Sequence, residues 1–530
     1  MSTDRSVSTG RSVSVAHARP VRPERSSSPR PWLVFVLAFA LYAALASVWA
    51  LASPVFAVPD ENAHAVKAIA QVRGELVGHR EPGVRQLVMD LPPEYAYTPQ
   101  LLCFATHPEV PGDCGVEVGT TQGSDWSATW VSTYNPLYYY LVGWPSLLFG
   151  GPAGIYAMRL ASALLGAVLF AWAVQAGMAS ARSRFLPIGL AFLALPMVVY
   201  LTGAINPNGT EILAAAALVP ALLRLLESHD PEAPPPGLPR SHLWLIVTVS
   251  AILLANVRAL GPLWLLIVVA LCLLAVGWRP VRRLFTTPRS YVWLAIIAVG
   301  GLFSLGWTLS GGSLSGQAET GDAPIVGAGF VQGAVYMVRA TPTFATQALG
   351  YFGWFDAPLP GYAFWPVIAA LAVLIVLAFT ASRRRDVLTL GAAAVAAFVV
   401  PVVVQAYSVH QTGVIWQGRY GLFLDVTVLL LAAWVLSRGE GDRLAFLSGR
   451  LTVVVGALVA LFAWLSLFFV LRRYVIGNAK PIGAMFKDPQ WQPPLGWFAL
   501  LVAFGVLSAA FVVFLWWLGR TAERRRAVDA

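Results

Sequence analysis

Long apolar runs alternate with short polar breaks along most of this chain. The first run, residues 31–56, exceeds a signal-peptide core and reaches the roughly 20 residues that cross a bilayer as helix. Eleven more follow, near 153–180, 185–203, 209–227, 242–257, 261–278, 290–309, 361–380, 387–407, 420–436, 451–470 and 496–518. They predict an all-α polytopic membrane protein, a bundle of about 12 transmembrane helices. Two polar stretches interrupt the pattern, at 57–133 and 310–360. The run 134–149 is short for a span and rich in tyrosine, so it reads as a helix lying at the membrane interface. Residues 57–152 then form one large loop with that helix at its end. The expected organisation is a disordered tail (1–30, rich in Ser, Arg and Pro), a transmembrane domain (31–518) and a basic tail (519–530).

Composition agrees: 57% of the 530 residues are hydrophobic and 12% charged, which excludes a soluble domain. The net charge of +10 is distributed in short clusters between apolar runs. If 134–149 does not cross, Arg182, Arg184, Arg224, Arg240, Arg279, Arg282, Arg283, Arg383, Arg384, Arg385 and Arg438 fall on one side. Positive-inside bias makes that side cytoplasmic, with both termini there and the protein in the cell membrane. No basic soluble face exists to bind nucleic acid. On the outer side stand Arg258, Arg339, Arg419, Arg472 and Arg473. Arg258 and Arg419 lie in short loops between spans, where a guanidinium can hold a lipid phosphate bidentately or simply snorkel beside an acid. Cys103 and Cys114 lie in the first loop, where an outer location permits a disulfide; Cys272 lies inside a span.

The candidate chemistry centres on Val58-Pro59-Asp60-Glu61-Asn62-Ala63-His64, directly after the first span. Asp60 and His64 are four apart and Glu61 and His64 three apart, which places them on one face if Pro59 opens a helix. Such carboxylates can take a proton from an acceptor hydroxyl. Helix capping by Asp60 is the plainer reading, although it does not require Glu61 and His64. One turn does not complete a metal shell, so no cofactor is implied outright and a divalent cation, Mg or Mn, is left open. No phosphate loop, H-E-x-x-H or G-x-S-x-G occurs, which argues against ATP-driven transport, metalloprotease and serine-hydrolase chemistry. In the turn Asn206-Pro207-Asn208-Gly209-Thr210-Glu211, Asn208 and Glu211 could face the same cavity as Asp60, or Glu211 could cap the next helix. Charged residues inside spans are otherwise scarce, with Asp425 the main exception and a candidate partner for Arg419.

Several segments in this order resemble a bacterial integral membrane family of undefined function grouped with the GT-C glycosyltransferases. They are the Asp60-Glu61…His64 motif before a large loop, Tyr134-Asn135-Pro136-Leu137-Tyr138-Tyr139-Tyr140 with Pro145 to Gly150, Arg159-Leu160-Ala161-Ser162, Phe352-Gly353-Trp354-Phe355-Asp356 and Gln417-Gly418-Arg419-Tyr420. The resemblance covers about 35–515. It implies a GT-C-like bundle and inverting transfer of a sugar from a polyprenyl-phosphate donor to an envelope glycan, glycolipid or protein on the outer face. Asp60 would be the base, Glu61 its partner or alternate, and His64 an orienting neighbour. Arg258 and Arg419 would hold the donor phosphate, with Tyr138, Asn208, Glu211, Asp356 and Gln417 as further candidates. Many relatives carry Asp where this chain has Asn206-Pro207-Asn208, which puts any metal or donor contact there in doubt. A transporter or flippase of lipid-linked saccharide, or a silent partner of an envelope enzyme, are the alternatives.

Overall fold

The computed structural model describes residues 30–97, 99–115, 117–119, 125–180, 182–233, 236–313, 323–380, 383–438 and 442–529. The expected N-terminal tail lies, but for residue 30, outside them. The first run becomes α1 (Pro31–Ala52), opened by a proline whose missing N–H costs nothing at a helix start. The following loop carries α2 (Glu61–Gln71) and a two-stranded antiparallel pair, β1 (Val88–Asp90) with β2 (Trp126–Ala128), Met89 opposite Ser127. The expected interfacial helix is α3 (Leu137–Gly143), continued by a 3₁₀ turn through Leu147. Exposed Trp144, Leu147, Leu148 and Phe149 give it an apolar tip.

The bundle continues with α4 (Gly151–Gly177), α5 (Leu186–Ala191), α6 (Pro196–Thr202), α7 (Pro207–Glu227), α8 (Arg240–Asn256), α9 (Gly261–Val276), α10 (Trp278–Phe285) and α11 (Pro288–Ser310). After α12 (Phe330–Gly350) come the short strands β3 (Tyr351–Phe352) and β4 (Ala357–Pro358), then α13 (Phe364–Thr380), α14 (Arg384–Thr412), α15 (Leu422–Arg438), α16 (Asp442–Ile476), α17 (Ala484–Lys487) and α18 (Trp497–Asp529). The protein is therefore a mostly helical, multi-pass membrane protein. Among the described residues nine helices are long and apolar enough to cross a membrane, ten if α9 and α10, bent by 112°, count as one span. The bundle is as expected, and its exact count of twelve spans is not confirmed. The run at 185–203 is broken before Pro196, which has no N–H to continue the preceding turn. The run at 242–257 yields a helix of 17 residues, at the lower limit for a span.

Burial sorts the helices. Every residue of α7 is buried, whereas 11% of the apolar stretch of α11 is, so α7 is the axis and α11 faces lipid. At one end of α7 lies the turn at Asn206. At the other, Glu227 meets Arg224 at 2.7 Å and Arg438 at 3.5 Å, and Arg283 meets Asp230 at 3.6 Å. Arg224, Arg283 and Arg438 thus collect at the end opposite the first loop.

That loop has its own apolar core, with Phe56, Ile69, Tyr138, Tyr139, Val142 and Met158 packed under α2 and α3. Cys103 and Cys114 form a disulfide within it, with Cα atoms 6.0 Å apart. Arg473, at the end of α16, donates to the carbonyls of Phe104, His107 and Val110 inside the disulfide-closed ring. It also donates to Asp356 Oδ2 at 2.8 Å, so one buried guanidinium ties the loop, α16 and the β3–β4 turn together. The segment 310–360, read as a loop, contains the 21-residue α12. Gly, Ala and Thr dilute its apolar signal, and Pro342 stands inside it. The C-terminal tail continues α18 as helix through Asp529.

Candidate functional site

Asp60 adopts a left-handed backbone (φ 63°, ψ 0°) immediately before α2 and makes no side-chain cap bond. Capping, the plainer expectation, is therefore not its role. For a non-glycine residue this conformation costs on the order of 1 kcal/mol or more and persists only where neighbours fix it. Here the Asn206 amide donates to Pro59 O at 3.0 Å, and Glu61 Oε1 accepts from Ile205 N–H at 3.1 Å. Asn206 Oδ1 meanwhile caps α7 through Asn208 N–H. An aspartate at 206 could accept but not donate, so asparagine suits this turn.

The kink sends the two acids in different directions. Glu61 is fully buried and bound by Arg159, whose Nε and Nη2 lie 2.7 and 2.5 Å from its oxygens. Arg159 also donates to the carbonyls of Ala50, Ser53 and Pro54, closing the end of α1. Glu61, expected as partner or alternate base, thus does not line the cavity beside Asp60. Asp60 instead pairs with Arg419 and opens on a cavity of about 320 Å³.

That cavity is lined by Asp60, His64, Gln86, Trp130, Val131, Tyr134, Asn208, Arg258, Ala323, Ile415, Gln417 and Tyr420. It brings together Asp60, His64, Asn208, Arg258 and Gln417, while Arg419 reaches it through Asp60. Glu211 lies behind the wall, 3.6 Å from Arg258 Nη1 and 3.3 Å from Asn208 Nδ2. Both guanidiniums cover the Tyr420 ring, Arg258 at 4.2 Å and Arg419 at 5.2 Å from its centroid. Arg419 Nε, Gln417 Oε1 and Glu211 Oε1 are buried without a partner among the described residues. Such orphans call for a ligand or water to complete them, and of the three Gln417 lines the cavity.

Two other candidates lie elsewhere. Tyr138 is buried in the loop core with its hydroxyl 3.3 Å from Ser162 Oγ, and Asp356 is held by Arg473 as described above. Neither of these two site candidates lines the cavity; the first packs in the loop core and the second holds a clamp. His64 Nδ1 shares a 2.8 Å hydrogen bond with the Tyr139 hydroxyl. Burial, opposed by Asp60 and seconded by Arg258 and Arg419, pushes its pKa down to about 3, so the ring is neutral. Lys67, one turn further along α2, donates to the carbonyls of Ser132 (2.6 Å) and Leu76, and burial lowers its pKa to about 7 despite Glu75.

A divalent cation beside Asp60 would face Arg258 and Arg419, and among the described residues no second carboxylate lines the cavity. This donor set does not suit one. Among the described residues one group has metal-ligand spacing, Glu75, His79 and Asp90, exposed in the first loop. His79 Nδ1 there sits 3.1 Å from Glu75 Oε1, which raises its pKa.

Sequence reasoning did not find the residues that hold the arginines. Gln405 of α14 accepts the N–H groups of Ile415 and Trp416 and donates to Gly413 O. Gln347 of α12 accepts Gly418 N–H at 3.0 Å. Asn256 bonds Asn135 and the carbonyls of Ile252 and Gly300, bracing the turn that carries Arg258. Amides inside apolar runs were the available signal.

Residues 41–430 match the model of a family described as predicted membrane protein (DUF2142). The chain belongs to that family. Comparison with curated proteins gives no match. Among solved structures it is similar to ArnT from Cupriavidus metallidurans in the apo state, with 16% identity, a TM-score of 0.43, and coverage of 93% of this chain and 77% of that one. A likeness this distant carries no argument about function.

Proposed function

We propose that this protein transfers a sugar from a polyprenyl-phosphate donor to a cell-envelope acceptor, with inversion, as a GT-C-like glycosyltransferase. The observation that carries the reading is one cavity lined by a carboxylate, Asp60, and a guanidinium, Arg258, with a second guanidinium, Arg419, paired to Asp60. Its size falls in the roughly 300–1,000 Å³ range of small-molecule sites. The family resemblance supplies the reaction class. The collection of basic residues at the far end of α7 supports placing the cavity outside the cell membrane and both termini in the cytoplasm.

In this scheme the donor phosphate competes for Arg419, with Arg258 beside it, and frees the Asp60 carboxylate. The acceptor hydroxyl passes its proton to Asp60 while its oxygen bonds the anomeric carbon. The bond from that carbon to the phosphate oxygen breaks, and the phosphate departs with the electron pair. The arginines meet the charge that develops there. His64, being neutral, adds no charge and acts as a hydrogen-bonding neighbour. No step runs through a metal ion.

Mass spectrometry of envelope glycans and polyprenyl-linked sugars in a deletion strain tests the reading. A missing sugar with accumulated donor, restored by the wild-type gene and not by Asp60→Asn, is expected. Lipid-linked saccharide trapped on the inner leaflet would instead indicate a flippase. Full restoration by Asp60→Asn would remove Asp60 from the chemistry.

A further inference from the structure

Asp425 lies one turn into α15, about 5 Å below its start at Leu422. Arg419, its expected partner, is taken by Asp60, and among the described residues Asp425 has no hydrogen bond or ion pair. Intramembrane acids are costly and are retained where they bind something. This one opens into a groove of about 130 Å³ between α12, α14 and the 416–421 turn. The groove shares Trp416 with a second pocket that contains Arg258, so the indole divides an acidic site from a basic one.

The chemistry of the groove is one-sided. Among the described residues no Lys, Arg or His lines it. Pro401 has no N–H to give the Ala397 carbonyl four residues back, and both residues line the groove. The hydroxyl of Thr341 is already spent on Met337 O. The groove is also lined by the rings of Phe344, Phe398 and Trp416, apolar toward a lipid chain and attractive to a cation across their faces. The exposed apolar side chains of α12, Phe330, Val331, Val335 and Val338, extend the lipid-facing surface beside it.

We propose that this groove binds an aminolipid, a membrane amphiphile whose primary ammonium meets Asp425 while its chains lie against α12 and α14. The site is separate from the proposed transfer reaction and stands whether or not that reading holds. An ammonium supplies both charge and N–H donors to the Asp425 carboxylate, which among the described residues has neither. A quaternary ammonium lacks the donors, and an anionic headgroup would meet the carboxylate with like charge.

Native mass spectrometry of the full-length protein released from detergent, offered equal phosphatidylethanolamine, phosphatidylcholine and phosphatidylglycerol, tests it. The folded monomer should retain phosphatidylethanolamine over the other two by about tenfold, the scale of one charged hydrogen bond. Asp425→Asn, which keeps the shape, should bring all three lipids to one level. Gly421→Leu provides a second route. A Cβ at Gly421 meets only Trp416, at 3.9 Å, so a larger side chain enters the groove and should expel the aminolipid while leaving Asp425 in place. Equal retention of the three lipids by the wild-type protein, or undiminished phosphatidylethanolamine on either folded variant, overturns the proposal.

Discussion

Asp60 and Glu61 are adjacent carboxylates, each paired with a buried arginine, and the two pairs differ in every other respect. Glu61 and Arg159 are 0% exposed, and carbonyls and an N–H group surround them; Asp60 is 21% exposed above an Arg419 that is 4% exposed with one nitrogen unpartnered. The first pair closes α1 onto α2, α4 and the Ile205 turn. The second closes nothing and looks into the cavity. A single left-handed residue separates the two environments, so neighbouring positions in the chain carry different duties.

The largest effect expected is on the sealed pair. Arg159→Met leaves Glu61 charged and unpaired in the interior and orphans three carbonyls, which should cost about 3–5 kcal/mol. Loss of monodisperse protein on size-exclusion chromatography, or a collapsed melting temperature, is the readout. A variant that folds normally and merely stops transferring sugar would break the contrast, because Arg159 would then belong to the site. Next comes the open pair. Asp60→Asn still accepts a bond from Arg419, so stability should move by no more than about 1 kcal/mol. Transfer by the purified protein should fall by about 10²-fold or more, the usual scale of a lost general base.

This contrast was only half visible in the sequence. Apolar runs and basic clusters showed a helical membrane protein, because the bilayer imposes span length and charge asymmetry on any chain. The Asp60-Glu61…His64 motif stood out as costly polarity beside a span. Which acid faces the cavity was not legible, since that depends on the Asp60 backbone and on Arg159 and Asn206, about 100 and 150 residues away. α12 was missed because its Gly-, Ala- and Thr-rich composition and Pro342 read as loop. Gln405 and Gln347, which fix the turn before Arg419, belong to no motif, one lying inside an apolar run and the other in the segment read as loop.

Gly418 sharpens the comparison from the arginine's side. A Cβ there would sit 2.0 Å from Phe344 O and 2.7 Å from Ala348 N, both backbone atoms of α12. Gly418→Ala must therefore push the turn away from Gln347 and carry Arg419 with it. Overpacking of this kind costs about 1–3 kcal/mol. Because the sealed pair is untouched, folding should survive while transfer drops. If transfer is unchanged, the position of Arg419 does not matter to the open pair.

The smallest expected effect concerns the neutral histidine beside that pair. His64 has a folded pKa of about 3 against 6.5 for the free side chain, chiefly because it is buried. Between those values the unfolded chain binds more protons than the folded one, so stability rises with pH. The contribution is fully present above pH 6.5 and is lost as pH falls toward 3. His64→Asn should flatten this part of a stability–pH curve, measured by thermal melting from pH 7 to 4. Tyr139→Phe removes only the hydroxyl that meets Nδ1, which costs about 1 kcal/mol, and it should leave the slope in place because burial, not that bond, sets it. A slope that vanishes with Tyr139→Phe would show that the tyrosine bond, rather than burial in the wall shared with Asp60, keeps the imidazole neutral.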